Sequence, residues 1–170
     1  MAEPNDIKLI VLDVDGVLTD GTIIIDDHGV ETKRFFVRDG MAITAAMRVG
    51  VKVGVLTARS SPCVTLRMKE LNIEHYMHGI RNKGEGIESL CQRAGIDLEE
   101  TAYLGDDLLD LRALSRCGYP MAVGDGVEEI REMARFITTE SGGRGAVREA
   151  IEHILKAQGL WDEVLDHYGT

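Results

Sequence analysis

Two aspartates, Asp13 and Asp15, stand at the end of an apolar run and are followed directly by Gly16. A continuous apolar run is typical of a strand that is buried on both faces of a parallel sheet. In an extended strand the side chains of residues i and i+2 point to the same side, so both carboxylates are aimed at the place where the strand ends. A cation there would relieve their repulsion, and oxygen ligands favour Mg²⁺. The motif therefore predicts a buried strand that ends in a magnesium site.

Short apolar runs alternate with amphipathic helical segments along the rest of the chain. This alternation predicts an α/β fold, a doubly wound parallel sheet with right-handed crossovers. The length of 170 residues suits one domain, and we expect residues 1–170 to form it, with a weakly patterned tail over about 159–170. The predicted strands cover residues 7–12, 51–56, 75–77, 101–104, 119–123 and 136–138, and the predicted helices cover 41–49, 62–71, 83–94, 108–115, 127–133 and 146–157.

One insert, over about residues 22–37, interrupts the alternation. Its β-prone runs at 22–25 and 32–37 flank a turn-forming cluster at 26–29, which predicts a short hairpin. We expect Asp39 to cap the helix that follows. The first run contains three consecutive isoleucines, so both faces of the hairpin carry an apolar side chain. Because a lone two-stranded hairpin is marginally stable and exposes its edges, we expect it to pack against other copies of the chain.

Composition and charge exclude several functional classes. The net charge of −10 and the pI near 4.9 argue against a general nucleic-acid or anionic-membrane binder. No apolar stretch is long enough to span a membrane, and residues 1–6 do not resemble a signal peptide. The three cysteines, Cys63, Cys91 and Cys117, are far apart and odd in number, which suits a reducing cytoplasm.

Further polar residues follow other predicted strands. Thr57 and Arg59 follow the strand at 51–56, Asp106 and Asp107 follow the strand at 101–104, and Lys83 begins the helix after 75–77. Ligands of an open parallel sheet bind at the carboxyl ends of its strands. Carboxylates for a metal, a hydroxyl, an ammonium and a guanidinium together suit phosphoryl transfer, which needs positioning and charge neutralisation.

Asp13 with Asp15, Thr57, Lys83 and Asp106 occur in the order of the four motifs of the haloacid dehalogenase-like phosphatases, which the chain resembles. Within that group, the chain is similar to the 3-deoxy-D-manno-octulosonate 8-phosphate (KDO 8-phosphate) phosphatases from about residue 7 to 159, most visibly at 37–40, 56–59 and 142–149. The resemblance implies a Rossmann-like fold with a short hairpin in place of a cap domain. It also implies a cytoplasmic bacterial hydrolase that releases phosphate from KDO 8-phosphate in lipopolysaccharide biosynthesis.

The resemblance also implies a role for each motif residue. Asp13 would be the nucleophile that forms an aspartyl-phosphate, and Asp15 would protonate the leaving sugar alcohol and then activate water. Thr57 would hydrogen-bond the phosphoryl oxygens, and Lys83 would neutralise their charge. Mg²⁺ would be held by Asp13, Asp106 and the backbone carbonyl of Asp15, with support from Asp107 and Asp110.

Substrate contacts and assembly follow from the same resemblance. A bidentate arginine is a fitting partner for the substrate carboxylate, and Arg59 lies two residues after Thr57. Family members often carry Asn where Phe36 stands and Arg where Thr44 stands, so the chain departs from the pattern at these positions. In the family, hairpins of four subunits form a barrel and a neighbour covers each active site, which implies a homotetramer. The substrate-binding set is Asp15, Phe36, Val37, Arg38, Asp39, Gly40, Arg59, Arg67 and Lys83, with Arg144 in support.

Simpler structural roles are open for several of these residues. Aspartates at strand ends often form turns, and Asp107 and Asp110 could simply begin a helix. Arg67 could be an ordinary exposed helix residue, and Arg38 could pair with a neighbouring acid. The glycine-rich stretch 142–145 could be only a loop before a helix.

Two other functions are also open. One is the same chemistry on a longer nonulosonate 9-phosphate, but relatives for that substrate tend to carry an acid where Arg59 and Arg144 stand. The other is a non-catalytic tetramerisation domain, as found fused to a nucleotide-sugar synthetase. The intact catalytic positions argue against that alternative.

Overall fold

The computed structural model describes residues 2–169 and contains a six-stranded parallel sheet with helices on both faces. A separate antiparallel pair, β2 and β3, forms the hairpin insert. The order in the large sheet is β5-β4-β1-β6-β7-β8, so the predicted doubly wound parallel sheet is confirmed. The strands are β1 Leu9–Leu12, β2 Ile24–Ile25, β3 Glu31–Thr32, β4 Lys52–Leu56, β5 His75–Met77, β6 Thr101–Gly105, β7 Tyr119–Ala122 and β8 Phe136–Ile137.

The side chains of β1 alternate between two apolar layers. Leu9 and Val11 pack into one layer, whereas Ile10 and Leu12 pack into the other, as the period of two along a strand requires. The first layer is covered by α3 Lys83–Ala94, α4 Leu111–Leu114 and α5 Glu128–Met133. The second is covered by α1 Val37–Arg48, α2 Pro62–Glu70, α6 Ala146–Ala157 and α7 Trp161–His167.

The strand order places a crevice at the carboxyl end of β1. The chain runs from β1 to β4 and β5 on one side of the sheet, and later returns to β6, β7 and β8 on the other side. β1 therefore pairs with both β4 and β6, and the connections diverge from it. Such a switch point is where open α/β sheets bind ligands.

Most predicted elements are present with shifted ends. Ser61 precedes α2, with Pro62 in its first turn, and α3 ends at Gly95 in the left-handed conformation with φ +66°, so both helices start where their predicted ranges do. The predicted helix at 108–115 begins instead as a short 3₁₀ turn before α4. No helix within residues 2–169 is long and apolar enough to cross a membrane.

Two local predictions were wrong. The second hairpin run is shorter than predicted, because β3 ends at Thr32 and α1 already begins at Val37. Asp39 lies inside α1 and does not cap it; its Oδ1 accepts a hydrogen bond from the backbone N–H of Arg148 at 2.9 Å, in the first turn of α6. The weakly patterned tail contains α7, which buries Val164 against the second layer.

Candidate active site

A cleft of about 140 Å³ opens at the carboxyl ends of β1, β4 and β6. It contains every residue predicted for catalysis and metal binding, together with Arg59 and the two supporting aspartates. This arrangement follows from the parallel sheet, whose strand ends meet at one edge. The lining residues are Asp13, Asp15, Thr57, Ala58, Arg59, Lys83, Asp106, Asp107, Leu109 and Asp110.

The turn after β1 brings two motifs into direct contact. Asp13 is buried at the end of the strand, and Gly16 has φ +91°, which L side chains rarely adopt. A Cβ atom at Gly16 would collide with the Asp106 carboxylate. Glycine is therefore required at this position both for its backbone conformation and for the close approach of the Asp106 side chain.

Asp110 is fully buried and accepts four hydrogen bonds. Lys83 Nζ lies 2.5 Å and Tyr103 Oη 2.6 Å from Oδ1, while the backbone N–H groups of Asp106 and Asp107 lie 3.0 and 3.3 Å from Oδ2. Both oxygens are thus occupied by donors from β6, from the following turn and from α3. Asp107, by contrast, caps the 3₁₀ turn by accepting from Leu108 N–H at 2.7 Å.

The centre of the cleft carries more negative than positive charge. Lys83 Nζ also contacts Asp13 Oδ2 at 2.8 Å, so one ammonium faces the clustered carboxylates of Asp13, Asp106 and Asp110. Burial and then the Asp110 charge raise the pKa of Asp13 to about 7, and burial and then the Asp13 charge raise that of Asp106 to about 8. Burial opposes the charge on Lys83, but Asp13 and Asp110 outweigh it and raise the pKa of Lys83.

The donor set fits a hard divalent cation. Oδ1 of Asp106 is buried and has no hydrogen-bond partner within the described chain. One carboxylate oxygen from each of Asp13, Asp106 and Asp110 lies within 4.8 Å of the other two. Because both Asp110 oxygens already accept hydrogen bonds, Asp13 and Asp106 are the side chains free to coordinate a metal. Oxygen-only ligands and an excess of negative charge favour Mg²⁺.

Thr57 lies on the opposite wall at the end of β4, where it is buried. Its Oγ1 accepts a hydrogen bond from Arg59 N–H at 3.2 Å, and its backbone N–H and C=O are bonded to Met77 and Ile80. The hydroxyl is therefore held by rigid backbone and keeps its own proton available to donate to an anion in the cleft.

The hairpin insert contributes two residues, Glu31 and Lys33, that the sequence analysis missed. Lys33 forms ion pairs with Asp15 Oδ1 and, at 3.2 Å, with Glu31. Arg59 contacts Glu31 at 2.9 Å and lies 3.8 Å from Asp15 Oδ2. Burial opposes the charge on Lys33, but Asp15 and Glu31 outweigh it and raise the pKa of Lys33. Tyr103 was also missed, although its alternation with Gly105 along β6 could have placed it on the cleft side.

The remaining predicted substrate residues lie outside this cleft. Phe36 and Arg144 line a separate cavity of about 160 Å³, and Val37 is 78% exposed on the surface. Arg38 lies near the Phe36 ring, with its guanidinium carbon 5.9 Å from the ring centroid. The second Asp39 oxygen is buried without a hydrogen bond, and burial raises the pKa of Asp39 to about 6.

Gly40 and Arg67 are in contact with each other rather than with the cleft. A Cβ at Gly40 would collide with the Arg67 guanidinium, which pairs with Glu70 at 2.8 Å. Arg67 also lies over Phe35, 5.8 Å from the ring centroid, so it has a packing role in α2. Contact of these residues with a substrate stays a prediction.

Comparisons with known proteins agree with this geometry. A profile of the haloacid dehalogenase-like hydrolases matches residues 77–151. The chain is 39% identical over 163 residues to a 3-deoxy-D-manno-octulosonate 8-phosphate phosphatase of Escherichia coli K12, covering 96% of this chain and 87% of that protein.

Two solved structures show the same likeness. The Moraxella catarrhalis phosphatase of that name, in complex with magnesium, phosphate and KDO, superposes with a TM-score of 0.94 at 42% identity, covering 97% of this chain and 95% of that chain. A cobalt-bound phosphatase of the same kind from Haemophilus influenzae gives 0.90 at 39% identity, with coverage of 92% and 91%.

Proposed function

We propose that this chain, which belongs to the 3-deoxy-D-manno-octulosonate 8-phosphate phosphatases of the haloacid dehalogenase-like hydrolases, hydrolyses KDO 8-phosphate to KDO and phosphate. The observation that carries the proposal is the cleft at the end of β1. Two aspartates, a threonine, a lysine and a third aspartate from four separate segments face one space of about 140 Å³. The reaction serves lipopolysaccharide biosynthesis, and residues 1–170 would act as one catalytic domain.

In the first step a carboxylate oxygen of Asp13 attacks phosphorus. The new P–O bond to Asp13 forms as the bond to the sugar oxygen breaks, and Asp15 gives that oxygen its proton. The Lys83 ammonium and the Thr57 hydroxyl stabilise the charge on the three phosphoryl oxygens. Lys83 is suited to this role because Asp110 and Asp13 hold its ammonium in the cleft floor.

In the second step water hydrolyses the aspartyl-phosphate. Asp15, now ionised, takes a proton from the water as its oxygen attacks phosphorus, and the bond to Asp13 breaks to release phosphate. Asp13, Asp106 and the backbone carbonyl of Asp15 would hold Mg²⁺. When bound, Mg²⁺ supplies positive charge that neutralises Asp13 and the phosphoryl oxygens, so the two anions can approach.

The substrate carboxylate is assigned to Arg59 at the rim of the cleft. Its side chain is 46% exposed and therefore accessible to a ligand, while its Nη2 is held by Glu31. An arginine here favours an octulosonate over the longer nonulosonate 9-phosphate. The remaining members of the proposed substrate-binding set are Phe36, Val37, Arg38, Asp39, Gly40 and Arg67, with Arg144 in support.

Assembly is proposed to be a homotetramer through the hairpin. Ile23, Ile24, Ile25 and Val30 are all exposed in the single chain, which is costly for a short two-stranded sheet. A protein of this function would reside in the cytoplasm, and its three cysteines are free. Gel filtration with light scattering should give a tetramer; a stable, fully active monomer would refute this assembly.

Phosphate release from a panel of sugar phosphates tests the proposal. KDO 8-phosphate should be hydrolysed with Mg²⁺ and not after metal removal by a chelator, and a nonulosonate 9-phosphate should be hydrolysed far more slowly. Preference for the nine-carbon substrate would reassign the sugar. Folded protein that releases phosphate from neither would leave only a non-catalytic tetramerisation domain.

A further inference from the structure

The hairpin insert reaches the catalytic turn through four charged residues: Glu31, Lys33, Asp15 and Arg59, here termed the hairpin charge cluster. Glu31 lies in β3 and Lys33 follows two residues later, so their side chains point to the same side of the extended chain. Lys33 contacts Asp15, and Glu31 contacts both Lys33 and Arg59. The hairpin is therefore tied to Asp15, and also to Arg59.

The burial of Lys33 shows that this arrangement is specific. Its side chain is 0% exposed, although lysine side chains normally keep their ammonium in water. A buried ammonium is costly unless it is paired, and its partners here are Asp15 and Glu31. Arg34, the next residue, is 66% exposed and pairs with Asp20 instead. Of these two adjacent cations, only Lys33 pairs with a residue that lines the cleft.

The side chains that contact the Asp15 carboxylate come from outside its own turn. The residue lies in an irregular turn with φ −77° and ψ 112°, just before Gly16. Its two oxygens face Lys33 and, at 3.8 Å, Arg59 Nε. An acid and base must be aimed at the reacting oxygen, and a small misplacement costs rate strongly.

We propose that Lys33 is a positioning residue for Asp15: it holds the Asp15 carboxylate at the mouth of the cleft, and Glu31 holds the Lys33 and Arg59 side chains in place. The inference rests on the proposed function, since it assigns Lys33 a part in that reaction. Lys33 acts through Asp15 and does not contact the reacting phosphorus. It makes the hairpin part of the active site of its own chain, in addition to any role in assembly.

The test compares Lys33→Met with Arg34→Met, which removes the neighbouring hairpin cation, whose side chain is exposed. Methionine is similar in length and accepts burial, so Lys33→Met removes the charge and leaves no cavity. On KDO 8-phosphate, kcat should fall about 100-fold with KM unchanged, the cost of a misplaced catalytic group. Arg34→Met should keep both constants.

A nitrophenyl phosphate separates positioning from a general structural defect. Its phenolate leaves without a proton, so the first turnover of Lys33→Met should stay fast, whereas the hydrolysis of the aspartyl-phosphate, which needs Asp15 as base, should be slow. The result is a burst of one equivalent of nitrophenolate, the pattern also expected of Asp15→Asn. Loss of the burst, a rise in KM alone or unchanged kinetics would each overturn the inference.

Two further controls keep the outcomes distinct. A wild-type protein that hydrolyses neither substrate refutes the proposed function, whereas an active wild type with an equally active Lys33→Met refutes only the inference. Should Lys33→Met fail to fold, Glu31→Gln weakens the same cluster and leaves Lys33 paired with Asp15. Glu31→Gln should lower kcat by about tenfold with KM unchanged, a smaller loss than that of Lys33→Met, which removes the ammonium itself. An unchanged kcat would overturn the inference.

Discussion

Replacement of Asp110 by alanine is the sharpest test of how the cleft is built. The substitution removes the acceptor for Lys83 Nζ at 2.5 Å, for Tyr103 Oη at 2.6 Å and for two backbone N–H groups. Breaking a buried ion pair from one side costs about 3–5 kcal/mol, and a buried unpaired hydroxyl adds to this. Relief of the repulsion on Asp13 and Asp106 offsets part of the loss, so we expect about 3–4 kcal/mol in total.

The matched control is Asp107→Ala in the same turn. The Asp107 side chain caps the turn through Leu108 N–H, so its loss should cost about 1 kcal/mol. For a chain of 170 residues each kcal/mol shifts the unfolding temperature by about 2–4 °C. Asp110→Ala should therefore melt roughly 6–16 °C below wild type, against roughly 2–4 °C for the control.

Calorimetry at one protein concentration, with magnesium present, measures both variants. Asp110→Asn adds a second check, because it keeps the shape but turns an NH₂ group toward donors. It should also be destabilised, and it should lose activity because Lys83 is no longer held. Equal melting temperatures for Asp110→Ala and Asp107→Ala would refute the reasoning that Asp110 is the buried acceptor on which this cleft depends.

Three further predictions follow from the same site. Asp13→Asn should abolish turnover, while its melting temperature stays near that of the wild type. Asp97→Asn, at the opposite edge of the sheet, is the control and should stay active. Near-wild-type activity of Asp13→Asn would exclude Asp13 as the nucleophile. Gly16→Ala should cost about 1–3 kcal/mol in strain and raise the magnesium concentration that gives half-maximal activity, since the new Cβ displaces the Asp106 carboxylate. Burial and neighbouring charge raise the pKa of Asp13 to about 7 and that of Asp106 to about 8, so between about pH 5 and 8 the folded state binds more protons than the unfolded one. With a chelator present, the free energy of unfolding should therefore fall as the pH rises through this range. Magnesium should oppose that fall, and a flat melting profile between pH 5 and 8 in chelator would contradict these shifts.

The convergence of the proposed catalytic residues in one cleft could be predicted because parallel sheets obey a simple geometric rule. Asp13, Thr57 and Asp106 each follow a buried apolar strand, and Lys83 begins the helix after another. The carboxyl ends of the strands of one parallel sheet lie at the same edge, whatever the conformation of the loops. The convergence of these residues can therefore be predicted without knowledge of the packing. Apolar runs and turn signals predicted β1 to β8 and α1 to α6, although several ends were misplaced, and α7 was not predicted.

The different contacts of three neighbouring aspartates could not be predicted from their spacing in the sequence. Asp106, Asp107 and Asp110 fall within five residues. Within residues 2–169, however, Oδ1 of Asp106 has no hydrogen-bond partner, whereas Asp107 caps a turn and Asp110 accepts four hydrogen bonds. The 3₁₀ turn between them decides which carboxylate points inward, and a propensity argument predicted an ordinary helix there. Asp39 is a similar case: the sequence predicted that it caps its own helix, but its carboxylate accepts a hydrogen bond from the backbone of α6, over a hundred residues away.

The amino-acid order thus settles the reaction chemistry, since strand periodicity and parallel topology carry the motif residues to one edge of the sheet. The positions of Lys33 and Glu31, by contrast, are decided by the tertiary structure. The sequence of residues 22–37 predicts a hairpin but not its orientation relative to the sheet. Their contact with Asp15 and Arg59 depends on how the insert folds back over the cleft, and such long-range placement comes from packing rather than from local pattern.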